Sequence, residues 1–464
     1  MKCPFYDKGC GGCRDIDQMY GDTLKKKEAR IKKLFPQSEK IMGAEMPIHY
    51  RNKVLRTFAN GKQSLYSGIY KAGTHQVISI KDCLLEDPDA CRMAFGITEL
   101  LAQEGINAYR EDYHKGVLRH MQLRRGARSG ETVVTLVTGT EELPNGEAIA
   151  KKIIEKYPAV RGVVQNYNPR DNSAVFGFKD KLLAGRDELW DTMCGLKVCL
   201  TGRTFYQVHT PQAEKLYDLA VKTAGLTGTE NVLDAYCGVG VIGMRAAREA
   251  RQVTGIEIVK PSVLCAQKSA RVNRIENITF TCGDVMQALK NSKEHFDCVF
   301  VDPPRAGCDV AFLKALAEHA PEKIVYISCF SESLARDVLL LSGYDYAPEF
   351  VKPVDLFPFT EHVETVILLS QQKPDDTIRV SIDLKPEDVT VAERKATYAE
   401  LQAYIENKYG FKVSTLYIAQ TKEAMGIKER ENYNQPKSAN GKKLVCPPEK
   451  KKAIQDALRH FKMI

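Results

Sequence analysis

Between about residues 200 and 371 the sequence alternates short apolar runs with helix-period segments, and this alternation limits the fold more than any other feature. Runs at 231–237, 252–258, 278–284, 296–302, 323–329 and 362–370 read as strands. Helical periods at 261–274, 311–319 and 332–341 lie between them. Strands separated by helices of this length predict an α/β domain with a parallel, doubly wound, Rossmann-like sheet. In such sheets ligands bind at the carboxyl ends of the strands, so chemistry is sought there.

The rest of the chain divides around that domain. Its 464 residues, at roughly 150 per domain, predict about three domains. Residues 1–45 form a Cys-rich arm with a basic helical run, and 46–195 read as a mixed α+β domain. Within the latter, Thr132–Thr138 reads as a strand and 147–156 as a helix. The doubly wound domain spans 196–374, and 375–464 form a small helical module with helices at 398–408, 414–425 and 449–461. The break at 409–413 gives its first pair the look of a helix-turn-helix, and seven Lys/Arg against two acids from Lys442 onward suit an auxiliary RNA-binding module. No apolar run reaches the ~18 residues of a membrane span, and the start lacks a leader's apolar region. A cytoplasmic protein without a membrane partner is expected; protein partners and oligomeric state stay open. Fourteen cysteines are then reduced thiols. Nine of them (Cys91, Cys194, Cys199, Cys237, Cys265, Cys282, Cys298, Cys308 and Cys446) read mostly as small buried hydrophobes.

Asp234-Ala-Tyr-Cys-Gly-Val-Gly-Val-Ile-Gly243 follows a predicted strand and opens a helix. Its G-x-G-x-x-G spacing fits a nicotinamide dinucleotide as well as other adenosine cofactors. Asp234 departs from the dinucleotide fingerprint, which keeps an apolar strand residue there. Glu257 ends the next strand and suits a ribose diol in either reading. Val301-Asp-Pro-Pro-Arg-Ala-Gly307 closes the fourth strand with a rigid loop that holds Asp302 at the ligand edge. Together these resemble a class I S-adenosylmethionine methyltransferase.

Two further motifs narrow the resemblance. Ile324-Val-Tyr-Ile-Ser-Cys329 follows after sixteen residues, and Asp355-Leu-Phe-Pro-Phe-Thr-Glu-His-Val-Glu364 comes next. With Phe205-Tyr-Gln-Val-His-Thr-Pro-Gln-Ala-Glu-Lys-Leu-Tyr217 upstream, the order over about residues 1–371 resembles the RNA (uracil-5-)-methyltransferase family. The resemblance implies Cys329 as nucleophile, Glu364 as base, and Gln207, Tyr236, Glu257, Asp302 and Asp284 as contacts to S-adenosylmethionine. The chemistry explains the pairing. Uracil C5 is a weak nucleophile until a thiolate adds at C6, and the C5 proton must later be removed by a base. The helix start after Cys329 is expected to favour its thiolate. Phe330-Ser331, His209 and Val241 depart from the family pattern, which usually has Asn-Pro, Asn and Asn at these places.

Cys3, Cys10 and Cys13 lie close in sequence, with Cys83 about seventy residues on. Three near thiolates and one distant one suit zinc or a [4Fe–4S] cluster, and spacing alone does not separate them. The arrangement resembles the cluster site of the ribosomal-RNA branch of the family, which implies a [4Fe–4S] cluster and a 23S rRNA substrate. Cys91 is the decoy for the fourth ligand. No barrel domain precedes the cysteines, although many rRNA-specific relatives carry one, so a tRNA substrate is the runner-up. A non-catalytic iron–sulfur RNA-binding protein is the rival from another class. Lys115, Arg119, Arg124, Arg125 and Arg128, with Arg51 and Lys53 beside Tyr50, are expected at RNA phosphates.

Overall fold

The strand Asn231–Ala235 sits at the centre of a seven-stranded sheet because Val232, Leu233 and Ala235 are apolar on both faces. The protein is described by a computed structural model over residues 3–62, 64–170, 174–292, 294–372, 398–425 and 447–460. Across the sheet the strands run Ile278–Cys282, Gln252–Glu257, Asn231–Ala235, Cys298–Val301, Lys323–Ser328, Glu364–Gln371 and Tyr346–Val354. Numbered along the chain, the order is 3-2-1-4-5-7-6. Glu364–Gln371 runs antiparallel to both neighbours, and the five before it are parallel. The domain is α/β and doubly wound, as the sequence predicts. One face packs on the helices Thr210–Ala224 and Lys260–Val272 through Leu216, Ala220, Val263 and Ala266. The other packs on Val310–His319 and Ser331–Ser342 through Phe312, Leu316, Leu334 and Val338.

Most strands end one or two residues short of their predicted limits. Tyr346–Val354 is not predicted at all. It carries Pro348 and Pro353 and lies at the sheet edge, where missing donors are tolerated.

A second seven-stranded sheet precedes this one, in the order Val77–Ser79, Leu65–Tyr70, Lys53–Asn60, Leu118–Arg125, Thr132–Thr138, Val160–Tyr167 and Lys179–Gly185. Only Thr132–Thr138 and Val160–Tyr167 pair in parallel. Helices Pro88–Gln103 and Gly146–Lys156 cover it through Ile97, Leu101, Ile149 and Ile153. The basic run of 115–128 lies largely in this sheet, and Arg119 and Arg124 turn inward. Arg119 donates to the Asn168 and Arg170 carbonyls at 3.0 and 2.7 Å, and Arg124 to the Thr204 carbonyl at 3.0 Å. Arg125 pairs with Asp87 and Asp89, and Arg128 with Glu214. Arg119 and Arg124 are bound to backbone carbonyls inside the protein, which corrects their expected place at phosphates, whereas Arg128 stays exposed.

The N-terminal helix Tyr20–Leu34 adds Ile31, Leu34 and the following Phe35 to the doubly wound core. All of this belongs to one unit, Met1–Lys385; Pro386–Ile464 forms another. The second unit has helices Tyr398–Tyr409, Thr415–Ala424 and Pro448–His460, closed by Leu401, Ile405, Ile418, Ile454 and Leu458. Lys442 and Cys446 fall outside the described residues, as does most of the connecting segment.

Candidate active site

Strand register gathers the predicted residues at one edge. Ala235 pairs with Ile256 and with Val301, so Tyr236, Glu257 and Asp302 follow side by side at the carboxyl ends. Asp284 follows the adjoining strand, where it caps the helix Val285–Asn291 by accepting from the Gln287 amide at 2.9 Å. Ser328 pairs with Thr365 in the antiparallel ladder. The residue after Ser328 is Cys329, and the residue before Thr365 is Glu364. Continuing that register sets the thiol opposite the carboxyl. The reversed direction of Glu364–Gln371 is what brings a residue from the start of a strand to an edge otherwise made of strand ends.

The glycine loop is held open by its own backbone. Tyr236, Gly238 and Gly240 have φ of +61°, +55° and +79°. A Cβ on Gly240 would meet the Phe280 ring at 2.4 Å, so only glycine fits there. Asp234 is buried and accepts from the Gly243 amide at 2.8 Å, fixing the turn into the following helix. Burial lifts its carboxyl to about 7, assisted by the charges of Asp302 and Glu257. Glu257 accepts from the Gly238 and Val259 amides at 3.1 and 2.8 Å, which fixes its carboxylate beside the loop. Tyr236 packs edge-on to Phe312.

Beside Cys329 the electrostatics oppose ionisation in the free protein. Burial raises its thiol to about 11, the charges of Glu364 and Asp302 add to this, and Arg305 opposes it by charge and by a hydrogen bond. The expected helix-start preference for thiolate is therefore outweighed by desolvation and two carboxyls. Glu364 is fully enclosed, its Oε2 has no hydrogen-bond partner, and burial with Asp302 pushes its pKa far up. Arg305 again acts in the opposite sense. Burial alone lifts Asp302 to about 7, so a cationic ligand beside it would restore its charge. That is the chemistry a sulfonium offers, and the carboxylates of Glu257 and Asp284 suit hydroxyl and amine groups. The residues fit an adenosine sulfonium donor.

Gln207 is buried, its carbonyl accepting from Asn52 Nδ2 at 2.9 Å. Gln207 and the charges of Asp302 and Glu364 all act on the buried Tyr217 hydroxyl. Sequence reasoning gave no role to Tyr217 or Arg305, although both lie inside quoted motifs. His209, one of the departures, is buried and stacked on Tyr50 at 4.6 Å, and burial lowers it to about 4.

The loop before Glu364 is stapled to the N-terminal arm. Lys27 Nζ reaches Asp355 at 2.6 Å and the Phe357 carbonyl at 3.0 Å. Tyr20 donates to Asp355 at 2.9 Å, and Tyr50 to the Pro358 carbonyl at 3.1 Å. Phe359 packs with Ile16, Tyr50 and Leu85, and against this small core lie Cys3, Cys13 and Cys83. Cys3, Cys10, Cys13 and Cys83 line one pocket together with Arg51 and Glu86. Among the described residues no three His, Cys, Asp or Glu side chains converge on a point where one metal ion would sit. Burial raises Cys13 to about 11 and Cys83 to about 12. The backbone at Gly12 opposes that rise at Cys10, and the backbone at Leu85 and Glu86 opposes it at Cys83. Cys91 lies elsewhere, against Arg56 at 3.3 Å and Glu86 at 3.6 Å.

Comparison with known proteins adds three findings. Residues 197–372 match the family model of tRNA (uracil-5-)-methyltransferases. An uncharacterized RNA methyltransferase of Halalkalibacterium halodurans is 36% identical over 378 residues, covering 79% of this chain and 82% of that protein. One of Listeria monocytogenes is 37% identical over 379 residues, with 79% and 83% covered. Among solved structures, the tRNA (uracil-54, C5)-methyltransferase of Pyrococcus abyssi, in complex with S-adenosyl-L-homocysteine, superposes with a TM-score of 0.66. It is 25% identical and covers 78% of this chain and 86% of its own.

Proposed function

The chain belongs to the RNA (uracil-5-)-methyltransferase family and is an S-adenosylmethionine-dependent RNA methyltransferase, and from that premise we propose that it methylates C5 of one uridine in 23S rRNA through a covalent adduct on Cys329. The observation that carries this reading is the register that faces Cys329 with Glu364 across the ladder between the fifth and last strands.

S-adenosylmethionine supplies the methyl group as a sulfonium electrophile. Tyr236, Glu257, Asp284, Asp302 and Gln207 bind and orient the donor, with Glu257 toward the ribose diol. Cys329 attacks C6 of the uracil as thiolate, and the C5–C6 π electrons move onto the C4 carbonyl as an enolate. The thiolate is disfavoured in the free protein; Arg305 and a cation seated by Asp302 both shift the balance toward it. C5 of the enolate takes the methyl as the S–CH3 bond breaks, leaving the donor as the neutral thioether. Glu364 then removes the C5 proton, the double bond re-forms, and Cys329 leaves as thiolate. Glu364 must be a carboxylate for this step, and Arg305 is the neighbour that favours that state. The target base has to leave its stack to reach the enclosed Glu364.

In this reading Cys3, Cys10, Cys13 and Cys83 hold a [4Fe–4S] cluster. Its support is the donor set itself, four thiols around one pocket. The rRNA target rests on that set, and a cytoplasmic location follows from the substrate. The likeness to the Pyrococcus abyssi enzyme favours a second reading, a tRNA uridine. Mapping 5-methyluridine in both RNAs from a deletion strain separates them. The proposal expects one 23S position to lose its methyl; loss confined to tRNA overturns the rRNA assignment.

A further inference from the structure

We propose that an open cavity in the first sheet is a second RNA site, which takes one unstacked nucleotide of the substrate strand away from the reacting uridine. The cavity measures about 560 Å³, and its walls include Tyr70, His75, Tyr109, Arg110, Arg119 and His120. That volume falls within the range of sites that hold small ligands of nucleotide size.

The lining chemistry is that of base recognition. Tyr70 and His75 stand 5.8 Å apart with rings inclined at 44°. Arg119 lies 5.3 Å from the Tyr109 ring centre. Unpaired bases stack on such rings. Arg119 is enclosed, with its terminal nitrogens occupied by Asn168, Arg170 and Glu111 and its Nε without a partner. Arg110 is exposed over the Tyr113 ring at 4.3 Å and provides a cation at the rim for a phosphate. Burial holds His120 near 4, so at neutral pH its ring is uncharged, and its Nδ1 lies 3.2 Å from Thr57 Oγ1.

The cavity is linked to the donor-binding region through one strand but lies apart from it. Asn52, bonded to Gln207, leads into Lys53–Asn60, whose far half from Thr57 onward lines the cavity. At about 3.4 Å per residue, Thr57 to Asn60 lie roughly 17–27 Å along the strand from Asn52. A nucleotide held there reports the sequence or fold around the target without touching the reacting base. The inference rests on RNA being the substrate and is independent of the nucleophile and of the RNA class.

The test uses the full chain and a short oligoadenylate carrying 8-azidoadenosine, which contains no uridine to methylate. On irradiation the label is expected on peptides containing Tyr70, Tyr109 or His120; label confined to residues 200–371 or to the C-terminal unit overturns the proposal. Tyr70→Ala and Tyr109→Ala are expected to weaken oligoadenylate binding by roughly five- to a hundredfold, with Tyr109→Phe retaining affinity. Methyl transfer at saturating RNA should keep its wild-type rate in these variants. Unchanged binding in both alanine variants, or a lost rate at saturation, contradicts a nucleotide site. Failure of the catalytic assignments would appear instead in Cys329 and Glu364 variants and leave the labelling pattern as it is.

Discussion

At the scale of single residues, Arg305 is the group that most alters how this site works. Its charge acts on both Cys329 and Glu364, and it favours the charged form of each. Arg305→Met therefore raises the Cys329 pKa further. Alkylation of Cys329 by iodoacetamide in the free protein should climb with pH toward about 11, and the variant's curve should lie at higher pH. At pH 8 the variant is expected to react about tenfold more slowly for each unit of further shift, followed on the Cys329 peptide by mass spectrometry. Coincident curves would remove Arg305 from this role. Cys329 and Glu364 were legible because their motifs fix residue type and order. Arg305 was visible in Asp-Pro-Pro-Arg, but its effect depends on strand register, which a motif does not state. Asp234 was visible as an anomaly, and the Gly243 amide explains it.

At the scale of elements, the loop from Asp355 to Val363 is the link between arm and catalytic edge. The Lys27–Asp355 pair has side-chain exposures of 4% and 0%, so removing one partner strands a buried charge. Burial already lowers the Lys27 pKa, and the charge of Asp355 opposes this. Asp355→Ala should cost about 3–5 kcal/mol in urea unfolding. Lys27→Met combined with Asp355→Leu should recover part of that loss, and a cost below about 1 kcal/mol for the single variant would contradict the staple. The parallel strands were legible as apolar runs. Tyr346–Val354 was not, because its prolines mimic a break and only an edge position admits them. The first sheet was hidden for a related reason. Leu118–Arg125 reads as a basic surface, yet Arg119 and Arg124 are buried against backbone carbonyls.

At the scale of the whole molecule, the arm joins residues far apart in sequence into one support. Phe359, next to the catalytic strand, shares a core with the segment that carries Cys3, Cys13 and Cys83. Sequence spacing could propose four thiols, but it could not reveal that they lie behind the loop leading to Glu364. Anaerobically purified protein should contain roughly four irons per chain with broad visible absorption. Cys83→Ser should lose the iron and Cys91→Ser retain it, since Cys91 does not line the pocket. Stoichiometric zinc without iron would overturn the cluster assignment.

The central claim is that Cys329 and Glu364 act on the same uracil at successive steps. Glu364→Gln permits attack and methyl transfer but blocks removal of the C5 proton. Incubated with RNA from the deletion strain and methyl-labelled S-adenosylmethionine, it should accumulate an RNA–protein adduct that survives denaturing electrophoresis and carries the label. Cys329→Ala should give neither adduct nor 5-methyluridine. Methylated uridine from Cys329→Ala, or a Glu364→Gln adduct joined through another residue, would contradict the account.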